Sequence, residues 1–118
     1  MFIAIPTNDR VNIAQKSGRA NEFAIFNLGN SGSNVIFKEN PHRNHDHSNG
    51  HHEHSHQEMI DMFKENNVAV LIVDVVGKHF KKDLLNSNFE VFKTELKSLA
   101  EIAEAFKSKK GDFVKIGE

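Results

Sequence analysis

Val68-Ala69-Val70-Leu71-Ile72-Val73 is an unbroken apolar run dominated by β-branched residues. A short run without polar alternation suits a strand covered on both faces of a sheet. Asp74-Val75-Val76-Gly77 follows. Residues 78–86 then predict a short helix, with Phe80 and Leu84 turned inward from positions four apart. A doubly buried strand that feeds a helix is the opening half of a crossover unit, which places the chain in the α/β class.

The remaining elements are read outward from that strand. Upstream, residues 2–5 read as a buried strand ended by Pro6 and the turn-forming Thr7-Asn8-Asp9. Residues 22–28 and 33–38 flank Gly29-Asn30-Ser31-Gly32 and predict a β-hairpin. A helix is expected at about 56–66, opened by a capping box of Ser55 with Glu58, and carrying Met59, Ile60 and Phe63 on one face. Downstream, residues 89–92 read as a last strand. Thr94 is placed to cap a final helix over 95–107, and Gly111 to stop it.

The order is β-β-β-α-β-α-β-α. Right-handed crossovers put the fourth strand beside the first and the fifth outside it. The expectation is a single domain over residues 1–118, built on a five-stranded mixed sheet of order 3-2-1-4-5 with helices on both faces. That is a ribonuclease H-like arrangement. The first and fourth strands depart in opposite directions, so their carboxyl ends form a switch point where open α/β sheets bind ligands. Thr7, Asn8, Gly18, Arg19, Gly77 and Lys78 are expected to line it, with His79 a further candidate.

Seven of the eight histidines lie between His42 and His56, in a segment inserted at about 40–56. His42, His45, His47, His51, His52, His54 and His56 are candidate metal ligands, because neutral imidazole suits Zn, Ni, Cu and Co. Three other readings compete. An expression tag fits poorly with an internal run broken by Asp46, Asn49 and Glu53. A solvated polar loop and a pH-responsive segment remain open, since clustered imidazoles titrate near neutrality.

Composition narrows the function classes. Cysteine is absent, which excludes disulfides, thiolate nucleophiles and any Cys-ligated zinc or iron–sulfur site. The net charge of −1 gives no basic excess for nucleic acid. The longest apolar run is far too short for a bilayer, and no signal peptide is visible, so a cytoplasmic protein without nucleic-acid or membrane partners is expected. No Walker or Rossmann glycine fingerprint and no nucleophile–base spacing argues for an enzyme. A nuclease on this fold would need clustered carboxylates on the central strands; the first strand has none.

Met1-Phe2-Ile3-Ala4-Ile5-Pro6, Ser17-Gly18-Arg19-Ala20-Asn21-Glu22-Phe23-Ala24-Ile25-Phe26, the run Val68 to Val73 with Gly77, and Phe89-Glu90-Val91-Phe92 with the last helix together resemble a known family. It is the dinitrogenase iron–molybdenum cofactor biosynthesis family, which includes small NifX-like proteins and the domain attached to NifB. The Gly-Arg-Ala turn is its most recognisable motif. Two positions depart from it. Lys16-Ser17 stands where His-Phe is usual, and Asp74-Val75-Val76-Gly77 where Gly-Gly-Ile-Gly is usual.

The resemblance implies a non-catalytic carrier of a metal or an anionic metal–sulfur cluster, working with a donor or acceptor protein as a monomer or homodimer. Arg19 and Lys78 would supply charge, and amides near Gly77 would supply donors. Against this, Arg19 could serve as a structural ion pair and His79 as an ordinary surface residue. Asp74 could cap the following helix. The alternative from another class is an interaction or regulatory module of the same fold, with an incidental His-rich segment.

Overall fold

The computed structural model describes residues 1–29, 34–41, 57–109, 111 and 113–116. Strands β1 (Phe2–Thr7), β2 (Glu22–Asn27) and β3 (Asn34–Glu39) come first. Helix α1 (Gln57–Glu65), β4 (Val68–Val73), α2 (Lys78–Asn86), β5 (Glu90–Lys93), α3 (Leu99–Lys107) and β6 (Val114–Ile116) follow. One mixed sheet runs in the order β3-β2-β1-β4-β5-β6. β1 pairs antiparallel with β2 and parallel with β4, and β4 pairs parallel with β5.

The Val68–Val73 run is the covered interior strand that its composition predicts, with all but Ala69 buried. Its alternate side chains feed two cores. Val68, Leu71 and Val73 join Ala4, Phe23 and Ile25 beneath α1 and α2, which contribute Met59, Ile60, Phe63, Phe80 and Leu84. Val70 and Ile72 join Ile3, Ile5, Ala24 and Phe26 beneath α3, which contributes Leu99, Ile102 and Ala103. Helices therefore cover both faces. Phenylalanine supplies the large contacts: Phe63 meets Phe23 edge-on at 4.9 Å and Phe89 at 5.8 Å between ring centroids.

Four expectations need correction. The sheet has six strands rather than five, because Val114–Ile116 returns antiparallel to β5. Lys115 Nζ lies 3.4 Å from Glu90 Oε2 across that pair. Gly111 thus serves the turn into β6, at φ 84°, rather than ending α3. Helix α3 starts at Leu99, four residues later than the sequence predicts, and its cap is Ser98 rather than Thr94. The intervening residues are held extended against the 11–13 segment, where Ile13 N donates to Lys97 O at 2.8 Å and Leu99 N to Val11 O at 2.9 Å. Ser98 Oγ then accepts from Glu101 N at 3.3 Å, while buried Thr94 accepts from Leu96 N at 3.1 Å. Tertiary pairing decided between two residues with equal capping chemistry.

Candidate functional site

The carboxyl ends of β1 and β4 are tied together by the chain that leaves β1. Residues 15–17 run alongside Val75: Val75 N donates to Gln15 O at 2.9 Å, and Ser17 N donates to Val75 O at 3.1 Å. Ser17 is fully buried, and its hydroxyl donates to the same Val75 oxygen at 2.9 Å. A single 3-10 turn, Ser17–Arg19, follows immediately. Opposite it, Gly77 caps α2 in extended conformation, with no side-chain cap hydrogen bond from Gly77 itself. The first-turn amides of α2 lie at the positive end of the helix dipole, on the side that faces the turn.

Between these two edges lies a cleft of about 350 Å³ lined by Lys16, Ser17, Gly18, Arg19, Val75, Gly77, Lys78, His79 and Phe80. Four of these carry basic side chains and none carries a carboxylate. Gly18 and Arg19 are thus brought to one cleft with Gly77 and Lys78, almost sixty residues away in sequence, and His79 joins them. A Cβ on Gly77 would meet nothing within 4 Å, so this glycine is not forced by packing. Its effect is to leave the backbone approachable from the cleft.

Thr7 and Asn8 are not in that lining. They sit at the carboxyl end of β1, where the sequence puts them, but the turn that follows consumes their polar groups. The Thr7 hydroxyl donates to Asn12 O at 2.7 Å and accepts from Arg10 N at 2.9 Å. Asn8 Oδ1 accepts from Asn21 N at 2.8 Å. In the same turn, Asp9 accepts from the amides of Asn12 and Val11, which hold its carboxyl below the usual range. Arg10 grips Glu22 through two bonds of 2.8 and 2.7 Å, and this lowers the Glu22 pKa in turn.

Among the described residues no ion-pair partner of Arg19 is seen. Asp74 does not cap α2; its carboxylate lies 3.4 Å from Lys97 Nζ, toward α3. It is not among the described lining residues of the cleft. Sequence reasoning missed Lys16, Ser17, Val75 and Phe80 as lining residues. Phe80 was legible only as an inward helix position, and its ring also approaches Gly18, whose added Cβ would lie 3.8 Å from it.

The candidate ligands His42, His45, His47, His51, His52, His54 and His56 lie outside the described residues, as does Ser55 of the expected capping box. Among the described residues no group of three His, Asp or Glu side chains could hold a metal ion. The residue from which the His-rich segment departs is described. Asn40 is fully buried, and its side-chain amide donates to Ala20 O at 2.8 Å and Gly18 O at 3.3 Å. Asn40 is thereby anchored on the Gly18-Arg19-Ala20 turn that forms one wall of the cleft. No described helix is long and apolar enough to cross a membrane.

No curated protein matches the chain by sequence. Several solved structures share its fold. The apo form of the orange protein from Desulfovibrio gigas superposes with a TM-score of 0.73 at 13% identity, over 98% of this chain and 96% of that one. A candidate NifB protein from Thermotoga gives a TM-score of 0.67 at 19% identity, over 97% and 91% of the two chains. A candidate dinitrogenase from Methanocaldococcus jannaschii gives 0.67 at 16% identity, over 100% and 96%. At such identities these likenesses establish the fold. The family follows from the sequence itself: the model of the dinitrogenase iron-molybdenum cofactor family matches residues 1–109, and the chain belongs to that family.

Proposed function

We propose that this protein is a non-catalytic carrier that holds an anionic metal–sulfur cluster in the cleft between the Ser17–Arg19 turn and α2. It would exchange the cluster with a donor or acceptor protein. The observation that carries the reading is the cleft wall itself. Lys16, Arg19, Lys78 and His79 converge without a carboxylate among the described lining residues. The N-terminus of α2, capped by Gly77 without a side chain, lies beside them. Such a surface attracts polyanions and offers donors to sulfide or oxide ligands. Among the described lining residues, His79 supplies the one imidazole, a side chain that binds metals directly. Membership of a cofactor-biosynthesis family supports the cargo class.

The His-rich segment would capture a divalent ion such as Zn, Ni, Cu or Co through His42, His45, His47, His51, His52, His54 and His56. The anchorage of Asn40 on Gly18 and Ala20 supports a role close to the cleft. Thr7 and Asn8 belong to this proposal as supports of the turn rather than as contacts. The reading includes a single domain over residues 1–118 and a cytoplasmic setting. It also takes the first five strands as ribonuclease H-like, which their order 3-2-1-4-5 within the sheet supports. The competing reading, an interaction module with an incidental His-rich segment, predicts no metal-dependent behaviour.

Chelator-stripped protein would be dialysed against tetrathiomolybdate, a soluble metal–sulfur anion, and separately against zinc, with bound metal counted per chain. Reversing charge at Lys16, Arg19 and Lys78 should abolish retention of the thiometallate and spare zinc. Replacing the seven histidines of the segment by Ala should do the opposite. Retention of neither species by the unaltered protein would overturn the carrier reading in favour of the interaction module.

A further inference from the structure

The two edges of the sheet are unlike. β6 is a three-residue strand, and short edges resist pairing with other chains. β3 has six residues, all at least partly exposed, and pairs with β2 through six consecutive partners without a bulge. It contains no proline, and its only charges, Lys38 and Glu39, stand at one end. Val35 and Ile36 in its first half are 38% and 47% exposed. Among the described residues no strand pairs with its outer edge. Bulges, prolines and central charges are the usual guards of such an edge, and β3 has none of them.

We infer that β3 is a self-association edge, pairing antiparallel with β3 of a second copy of this chain about a two-fold axis through Ile36. The register follows from symmetry. A two-fold axis normal to a continuous sheet keeps each face on its own side, so residues pair only with residues of the same face. Val35 and Phe37 lie on the α3 face, because their β2 partners Phe26 and Ala24 do. Ile36 lies on the opposite face with its partner Ile25.

Three centres are then possible near the middle of the strand. Centring on Phe37 sets Ile36 against Lys38 and Val35 against Glu39. Centring on Val35 sets Ile36 against Asn34. Centring on Ile36 sets Ile36 against itself, Val35 against Phe37, and Asn34 against Lys38. Only the last matches every exposed apolar side chain with an apolar partner. It also keeps the two copies of Lys38 about 13 Å apart along the strands, beyond a Debye length at physiological salt. Pairing through one strand buries little area, so the dimer is weak and forms reversibly.

The absence of cysteine makes the register directly testable. Single variants Ile36→Cys and, as a control on exposed α3, Ala100→Cys would be treated with a short bismaleimide at several protein concentrations. Ile36→Cys should cross-link to a dimer at least ten-fold faster than the control. A mixture of Asn34→Cys and Lys38→Cys should cross-link faster than either alone. Sedimentation should show the average mass rising from 13.4 kDa with concentration. Ile36→Lys should remove that rise while leaving circular dichroism unchanged, since the side chain is half-exposed. A single monomer mass at millimolar concentration would overturn the inference. So would cross-linking no faster at Ile36 than at Ala100.

Discussion

Ser17 Oγ donates a 2.9 Å hydrogen bond to the carbonyl oxygen of Val75, joining segments 58 residues apart at the point where β1 and β4 diverge. The bond closes the back of the cleft. It also fixes the distance between the Gly18-Arg19 turn and the N-terminus of α2. Because Ser17 N donates to the same oxygen, Ser17→Ala leaves that acceptor satisfied. The expected cost is about 1 kcal/mol, the ordinary value of one hydrogen bond, read as a lower urea midpoint at unchanged slope.

Asn40 should be less forgiving. Its amide is fully buried and serves two carbonyls of the Gly18–Ala20 turn. Asn40→Ala strips donors from buried acceptors, which costs about 1–3 kcal/mol. Asn40→Asp should be worse, because an oxygen would then face Ala20 O. Amide exchange in residues 18–21 should rise in both variants more than at β4, which would separate a local effect from general loss of stability.

Acid should weaken the turn that follows β1. Asp9 is held below the usual carboxylate range by the Asn12 and Val11 amides, and Glu22 by the Arg10 guanidinium. A depressed folded-state pKa contributes stability above the unfolded value, and that contribution disappears as pH falls through the folded value. The loss should therefore begin near pH 4 and grow below it. Asp9→Asn and Glu22→Gln should each flatten the acid limb of a stability–pH curve while changing its slope little above pH 6. High salt should reduce the Glu22 part, since Arg10 is exposed.

Phe63 is the junction of the ring contacts beneath α1 and α2, with Phe23 on one side and Phe89 on the other. Phe63→Ala should cost about 3–5 kcal/mol. Phe63→Leu should cost clearly less, because most of the volume is kept. Thermal denaturation of the two variants side by side checks the order.

The interior of this fold was legible because its signals are redundant. Val68–Val73 and the helix Lys78–Asn86 have the boundaries read from the sequence, since composition, length and spacing all agree there. β6 gave no such signal: its pairing is supplied by β5, and Val114 stays 61% exposed. The start of α3 was misread because Thr94 and Ser98 offer the same chemistry, and contacts with residues 11–13 choose between them. In the cleft, Gly18, Arg19, Gly77 and Lys78 followed from the switch point. Thr7 and Asn8 were placed on the right strand end, but no spacing rule reveals that Asn12, Arg10 and Asn21 engage their side chains.

The central claim is that the basic cleft holds a metal–sulfur anion, and amide chemical shifts test it most directly. Isotope-labelled protein, freed of metal, would be titrated with tetrathiomolybdate. The account predicts saturable shifts concentrated at Gly18, Arg19, Gly77, Lys78 and His79, abolished by Arg19→Glu with the rest of the spectrum preserved. Shifts confined to other surfaces, or none at millimolar ligand, would contradict it.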